Sequence, residues 1–574
     1  MKGLAFRKTA DAIAAFVKQH GASAPRRAVL CTYDLDPARF EAVLLPELTR
    51  RRRWFRTLVL ADAASLQKHG VLGQRAAASS YELAPVRVNG PGVFHPKLIV
   101  LQAGARVLVG IGSGNLTAGG LGGNLEMMLF ATNEAADGTA IAESAIQFLD
   151  DLRAAPRVTL PISAKRFLER VSRSASGAKG GPVLHSLDQS LIEQLPAGRP
   201  GRVNRVQIMS PWHSTSADTD GLEPDVIARV GKALGAAPRV YTQGHAGKAP
   251  ALGKKTEVRI LRASAYGGDE DLDAESEEDV SKRVRRPARL HAKAYLAVGA
   301  TNATLWFGSA NCTLPALCRV AGRGNVELLA RAALDRNALA RFECDLDAMF
   351  ERASGTLPPK KTPRIQAPRG IVLAGHVDTW EASRKLEIEV LAPARSTRLR
   401  VGTTSRRRGT IEIDVPKGAT SIILSPAQSR RLLQDREVPP VLWEHVAGTA
   451  IPFPISVPCA PTFDDPEAML DDVLDDFAGR VPSPFRTKSR RDDGGDDDDL
   501  DDEDNRDREL ALLTESEHQG TLDRIAVRVE LLRRRLAAIP AARSHYAALV
   551  ERLSVPTRLR RILIDHLGPR QANR

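Results

Sequence analysis

The chain is poor in cysteine and has no long apolar run, and each shortage removes a class of protein. Its five cysteines (Cys31, Cys312, Cys318, Cys344 and Cys459) are scattered over 574 residues. They are too few for a disulfide framework, and no pairs stand at the short double spacing of a zinc site. A reducing, cytoplasmic setting is expected. No stretch approaches the ~18 consecutive apolar residues of a bilayer-spanning helix. Met1 to Gly21 reads as an amphipathic helix carrying Arg7, Lys8 and Lys18, not as the apolar core of a signal peptide, so no membrane partner is expected. The phosphate-binding pattern G-x-x-x-x-G-K-[ST] is missing, and Gly119, Gly120, Gly122 and Gly123 lack the strand-to-helix setting of a nucleotide loop. The chain carries no recognisable motor of its own.

What is present is ordinary globular composition, 43% hydrophobic and 26% charged, over a length that suggests about three to four domains. The net charge of +13 hides an uneven distribution. Of 69 acidic residues, eight lie in Asp269–Asp279 and ten in Asp492–Asp504, segments with no base, so the rest of the chain sets 82 lysines and arginines against 51 acids. That balance favours a polyanionic partner.

Strands alternate with helices from the start, which argues for α/β layers. Arg27–Tyr33, Phe55–Ala61 and Tyr81–Val88 read as strands and Asp36–Arg50 as a helix, followed by apolar runs at Leu98–Gln102, Arg106–Ile111 and Leu125–Thr132 and a helix near Thr139–Arg153. The same order returns from Val206 and closes with a helix over Arg336–Ala353. Two similar halves of roughly 170 residues are the kind of internal repeat that decides an architecture. Expected domains are a first lobe over 1–170 and a second over 183–357. A β-rich accessory domain over 369–460, an acidic and largely disordered linker over 461–507 and a helical C-terminal module over 508–574 complete the chain.

The repeat carries chemistry. The first half reads His95-Pro96-Lys97, then Gly112-Ser113-Gly114-Asn115, then Asn124-Leu125-Glu126; the second reads His291-Ala292-Lys293, Gly308-Ser309-Ala310-Asn311 and Asn325-Val326-Glu327. Lys97 to Asn115 and Lys293 to Asn311 are both separations of 18 residues. Residues i and i+2 of a strand share a face, so each His and Lys would project together, with the GS-x-N turn bringing its Asn alongside. Two such halves packed face to face would make one pocket.

This set suits attack on a phosphodiester without a metal. One neutral imidazole attacks phosphorus to give a phosphohistidine, and the opposite one protonates the leaving oxygen; an unperturbed pKa of about 6.5 fits both tasks. Two Lys and two Asn would stabilise charge on the non-bridging oxygens, and each Glu would hold the distal nitrogen of a His and fix its tautomer. No cofactor is called for.

The duplicated H-x-K…GS-x-N pattern resembles the phospholipase D superfamily over roughly residues 25 to 350. The resemblance implies two α/β lobes related by a pseudo-twofold axis and one active site between them. It further implies His95 as nucleophile, His291 as general acid, Lys97, Lys293, Asn115 and Asn311 as phosphate ligands, and Glu126 and Glu327 as orienting acids. The Asp that commonly stands five residues after the Lys is replaced by Gln102 and Val298, as in the tyrosyl-DNA phosphodiesterase branch and several nuclease-like members.

Fold alone does not choose a substrate, but local charge favours nucleic acid. Arg50, Arg51, Arg52 and Arg53 precede Trp54 and Phe55; Lys282, Arg283, Arg285, Arg286 and Arg289 lie just before His291; and Arg406, Arg407 and Arg408 fall on an expected hairpin loop. The expected function is a DNA phosphodiesterase, a nuclease in phage defence, restriction or repair, with RNA as the other candidate polyanion and a separately encoded helicase or translocase ATPase as partner. An end-processing phosphodiesterase, a non-catalytic DNA-binding subunit and a lipid phosphodiesterase remain as alternatives.

Overall fold

The computed structural model describes residues 4–6, 9–21, 23, 25–49, 55–68, 81–134, 136–172, 181–214, 225–244, 248–250, 252, 256–262, 289–357, 372–377, 386–390, 395–403, 406–429, 440–446 and 449–454. They form a mixed α/β protein with several sheets. The expected linker over 461–507 and helical module over 508–574 lie outside the described residues. Among the described residues, no helix is long and apolar enough to cross a membrane.

The chain divides into two compact units, the first comprising residues 1–36, 58–69 and 84–369. This unit holds two eight-stranded sheets. From edge to edge, one runs Leu4–Phe6, Met128–Thr132, Arg106–Gly112, Leu98–Ala103, Arg26–Thr32, Arg56–Asp62, Glu82–Val88 and Val158–Thr159. The other runs Val183–His185, Leu328–Leu334, Ala303–Gly308, Ala294–Val298, Arg205–Met209, Pro238–Thr242, Glu257–Leu261 and Phe350–Arg352. Strand for strand, the spatial order follows the same sequence of connections.

The central strands read as nearly continuous apolar runs, interrupted by Gln102 and Thr304, because both their faces are covered; every residue of Leu98–Ala103 and of Ala303–Gly308 is buried. A single apolar cluster takes in Val100, Leu129 and Phe148 together with Leu296, Leu305 and Phe307, so the two sheets share a core. A second cluster gathers Ile208, Val230, Leu234, Tyr295 and Trp306 beneath the helix Val226–Leu234. That helix starts where the Asp225 side chain accepts from the Ile227 amide, and stops at Gly235, whose φ of 96° suits glycine.

Three helices differ from the sequence expectation. The N-terminal helix spans only Thr9–His20, because Leu4–Phe6 instead forms an edge strand antiparallel to Leu129–Ala131. The helix from Arg336 ends at Met349, and Phe350–Arg352 pairs with Arg259–Leu261 to become the sheet's edge strand, burying the Phe350 ring against Tyr241 at 5.3 Å. The segment expected as one helix over Asp36–Arg50 is two, Pro37–Val43 and Leu45–Thr49, with Pro46, which has no N–H to donate, in the first turn of the second.

The second unit comprises residues 37–57, 70–83 and 370–574. Its described part includes a three-stranded sheet (Val372–Val377, Leu386–Val390, Ser421–Ile423) and a four-stranded one (Arg406–Val415, Thr397–Thr403, Pro440–Val446, Thr449–Pro454). Arg406, Arg407 and Arg408 thus begin a strand instead of occupying a hairpin loop, because the ladder extends to the Thr403–Arg406 pair after a register shift.

Candidate active site

Each H-x-K tripeptide is the extended lead-in to a buried strand, His95 and Lys97 before Leu98–Ala103, His291 and Lys293 before Ala294–Val298. The glycine of each GS-x-N turn continues the ladder onto the lysine, the Gly112 amide donating to the Lys97 carbonyl and the Gly308 amide to the Lys293 carbonyl, both at 3.2 Å. A hydroxyl at the end of a neighbouring strand pins each turn, Thr32 accepting from the Leu116 amide at 3.1 Å and Ser210 from the Cys312 amide at 3.0 Å. His, Lys and Asn of one repeat are therefore gathered by backbone bonds and one hydroxyl pin per turn.

The two repeats interlock. Asn124–Leu125 pairs in parallel with Arg289–Leu290, and the Leu125 carbonyl accepts from the His291 amide at 3.0 Å. Reciprocally, the Val326 carbonyl accepts from the His95 amide at 2.9 Å. The side chains cross in the same way. His95 Nδ1 lies 2.8 Å from Glu327 Oε2, and His291 Nδ1 lies 2.7 Å from Glu126 Oε1. A carboxylate only accepts, so each Nδ1 carries the hydrogen and Nε2 is left for chemistry.

The remaining motif residues hold the carboxylates. Ser309 donates its hydroxyl to the Glu327 oxygen that His95 uses and Ser113 to the Glu126 oxygen that His291 leaves, while Asn325 Nδ2 and Asn124 Nδ2 donate to Oε1 of the same acids at 2.9 and 3.3 Å. Sequence reasoning quoted these Ser and Asn residues without giving them a task; their equal offsets in both repeats were the available signal.

His95, Lys97, His291 and Lys293 are all buried, as is Glu327. Burial pushes His95 down to about 4, with Lys97 adding to the shift and Glu327 opposing it. Burial and then Lys293 bring His291 to about 4 as well, against Glu126. Both imidazoles are thus neutral at neutral pH. Burial and the Lys293 charge hold Lys97 well below the usual lysine range, and burial takes Lys293 to about 7 despite both glutamates. Burial also works against the two carboxylates. The His291 hydrogen bond and charge, with Lys293, nevertheless keep Glu126 below its ordinary value, and the charge and hydrogen bond of His95, with Lys97, do so for Glu327. These six groups feel one another across the repeats and form a single electrostatic centre. Lys97 Nζ donates to the His95 carbonyl at 2.8 Å. Lys293 Nζ and Asn311 Oδ1 are buried without a hydrogen-bond partner among the described residues, and the unpaired ammonium is an expensive state that an entering anion would relieve. Asn115 Oδ1 accepts a long, 3.4 Å bond from Thr32 Oγ1.

Each imidazole also has an aromatic neighbour that the sequence reading overlooked. The Tyr33 ring lies 5.2 Å from that of His95, and the Trp212 ring 5.6 Å from that of His291. Of the basic residues predicted to bind nucleic acid, Arg289 is exposed with its guanidinium 5.3 Å from the Trp212 ring. Arg50, Arg51, Arg52, Arg53, Trp54, Lys282, Arg283, Arg285 and Arg286 lie outside the described residues. His213 is held neutral by burial, at about 3. Among the described residues, no group of three or more His, Cys, Asp or Glu is arranged to hold a metal ion.

No protein-family model matches the chain, and no curated protein matches it. Solved structures similar to it include yeast tyrosyl-DNA phosphodiesterase, 10% identical with a TM-score of 0.33 over 55% of this chain and 85% of that one. Phosphatidylserine synthase of Haemophilus influenzae Rd KW20 is 12% identical with a TM-score of 0.37 over 61% and 87%. Polyphosphate kinase of Porphyromonas gingivalis is 11% identical with a TM-score of 0.34 over 63% and 51%. The chain resembles the phospholipase D superfamily. The residues that carry the resemblance are the eight of the duplicated motif, His95, Lys97, Asn115, Glu126, His291, Lys293, Asn311 and Glu327.

Proposed function

We propose that the chain is a metal-independent phosphodiesterase acting on DNA, with two α/β lobes related by a pseudo-twofold axis and one active site at their junction. The observation that carries this reading is the reciprocal pair of carboxylate–imidazole bonds, which leaves two neutral rings with the same free nitrogen beside two buried lysines.

His95 Nε2 uses its lone pair to attack phosphorus while the leaving oxygen takes a proton from His291 Nε2. The product is a phosphohistidine whose positive ring is balanced by Glu327. Water then gives a proton to His291 and its oxygen to phosphorus, breaking the P–N bond and restoring both rings. Lys97, Lys293, Asn115 and Asn311 hold the non-bridging oxygens as charge builds on them. Because His291 is neutral in the empty site, it takes its acid proton from solvent as the substrate binds, the substrate's negative charge raising the imidazole pKa.

The surplus of base outside the two acidic segments and the exposed Arg289 beside His291 support DNA as the polyanion. A nuclease in phage defence, restriction or repair, partnered by a separate helicase or translocase ATPase, fits a sequence without the nucleotide-loop pattern G-x-x-x-x-G-K-[ST]. The test is hydrolysis of bis(p-nitrophenyl) phosphate and of labelled DNA in excess EDTA, with His95→Ala as control. Turnover that survives EDTA and disappears in the variant is expected. Turnover that requires added metal, or none on either substrate, would refute the reading.

A further inference from the structure

An exposed tryptophan calls for a reason, because leaving so large an apolar surface in water forgoes the stabilisation of burying it. Trp212 is 39% exposed and is one of three large apolar side chains standing out among the described residues. It follows Ser210 and Pro211 at the end of the strand Arg205–Met209. Its ring lies within 5.3 Å of the Arg289 guanidinium, 5.5 Å of Lys293 Nζ and 5.6 Å of the His291 ring. The side chains of residues 289, 291 and 293 thus all meet the indole, which lies against that row. The matching ring in the first repeat, Tyr33, is half-buried, and burial together with Asp62 and Asp34 pushes its hydroxyl up to about 12. The candidate site therefore has a half-buried aromatic flank at His95 and a more exposed one at His291.

We propose that Trp212 is the platform on which a nucleobase next to the scissile phosphate stacks, with Arg289 meeting the neighbouring backbone phosphate. This rests on the phosphodiesterase reading and adds the substrate class. A stacked base is favoured over a quaternary ammonium headgroup because two cationic side chains already crowd the indole, and a third cation there would be repelled. A neutral base gains from the indole face, and its phosphate gains from the same cations. Stacking on an aromatic side chain tolerates any base, so the site reads the presence of a base and not its identity.

The test is equilibrium binding, in the His95→Ala background, of a short labelled single-stranded oligothymidylate and of the same length of abasic sugar-phosphate. Trp212→Ala is expected to weaken the base-bearing strand by about tenfold or more and the abasic strand by less than about twofold, with Trp212→Phe recovering most of the difference. Equal weakening of both strands would mean that Trp212 only props Arg289 and Lys293, and would overturn the inference. An unchanged affinity for both, or no binding of either by the parent, would do the same. Hydrolysis of bis(p-nitrophenyl) phosphate without discrimination between the strands would sink the stacking platform and leave the catalytic reading standing. Discrimination without hydrolysis would do the reverse.

Discussion

Glu327→Gln isolates what the crossed carboxylate contributes. The side chain is fully buried, and its two oxygens are fully committed, Oε2 to His95 Nδ1 and the Ser309 hydroxyl, Oε1 to Asn325 Nδ2. An amide keeps the shape but has only one acceptor oxygen. With its NH₂ toward His95, two donors face each other and the tautomer is lost. With its NH₂ toward Asn325, that residue must turn its own amide and give up the 3.3 Å bond that its Oδ1 accepts from the Val93 amide. The charge is lost either way. A carboxylate and an imidazolium with charge centres about 4 Å apart interact by ~4 kcal/mol at an effective dielectric constant of about 20. That amounts to about three decades in the rate of forming the phosphohistidine. The loss does not come from protonating the nucleophile, because removing Glu327 takes away a charge that raises the His95 pKa. Single-turnover hydrolysis of bis(p-nitrophenyl) phosphate in EDTA should fall by about 10²- to 10⁴-fold, with a circular dichroism melt showing that the fold is retained. A folded variant within about threefold of the parent rate would refute the reasoning, since it would mean that no positive charge develops on His95.

Three further outcomes follow from the same geometry. The pH dependence of kcat/KM should fall on both sides: His95, at about 4, is a nucleophile only above that value, while on the alkaline side His291, also at about 4 in the empty site, must take up a proton and Lys293, at about 7, must keep its own, so the decline steepens through about 7. A stopped-pH series checks this, and a flat profile between about pH 6 and pH 9 would count against Lys293 as the phosphate cation. Ser309→Ala removes the hydroxyl that donates to Glu327 and accepts from the Leu328 amide at 2.9 Å. Leaving that buried amide unpaired should cost ~1–3 kcal/mol in chemical denaturation, with a fall in kcat, whereas an unchanged midpoint would contradict the bonding described. Gly92→Ala would put its Cβ 1.7 Å from the Gly324 carbonyl oxygen of the facing loop. It should lower the melting temperature by an amount corresponding to ~1–3 kcal/mol and disturb His95 three residues on; a variant as stable and active as the parent would show that this close approach is dispensable.

Much of this site could be read from the sequence because duplication left two copies at one spacing. The 18-residue interval from Lys97 to Asn115 recurs from Lys293 to Asn311, and a strand followed by its neighbour's end turn is a local arrangement that spacing can encode. The crossing of the repeats is different. Glu126 stands equally far from its own repeat's histidine whether it bonds His95 or His291, so no interval distinguishes the two pairings. Trp212 was missed for a related reason: Tyr33 directly follows the strand Arg26–Thr32, whereas Trp212 stands three residues beyond Met209, and the repeat does not align them. At residues 350–352, helical periodicity continues past Met349, but an open sheet edge and a pocket for the Phe350 ring outweigh it. Propensity gives way to tertiary pairing there.

The crossing also explains how two lysines can be buried side by side. An enclosed ammonium is tolerable only beside compensating charge, and both Lys97 and Lys293 draw on Glu126 and Glu327 together, one acid from each repeat. Those same acids are held below their ordinary values by the histidine of the opposite repeat. Neither repeat alone contains a balanced set in its bonded arrangement, so packing the repeats together and assembling the site are one event. With both lysines charged, two ammoniums and two carboxylates nearly cancel while both imidazoles stay neutral. A phosphodiester that enters brings one negative charge into this balance. The proton that restores neutrality belongs on an imidazole, and the ring beside the leaving oxygen is the one where the proposed reaction needs it.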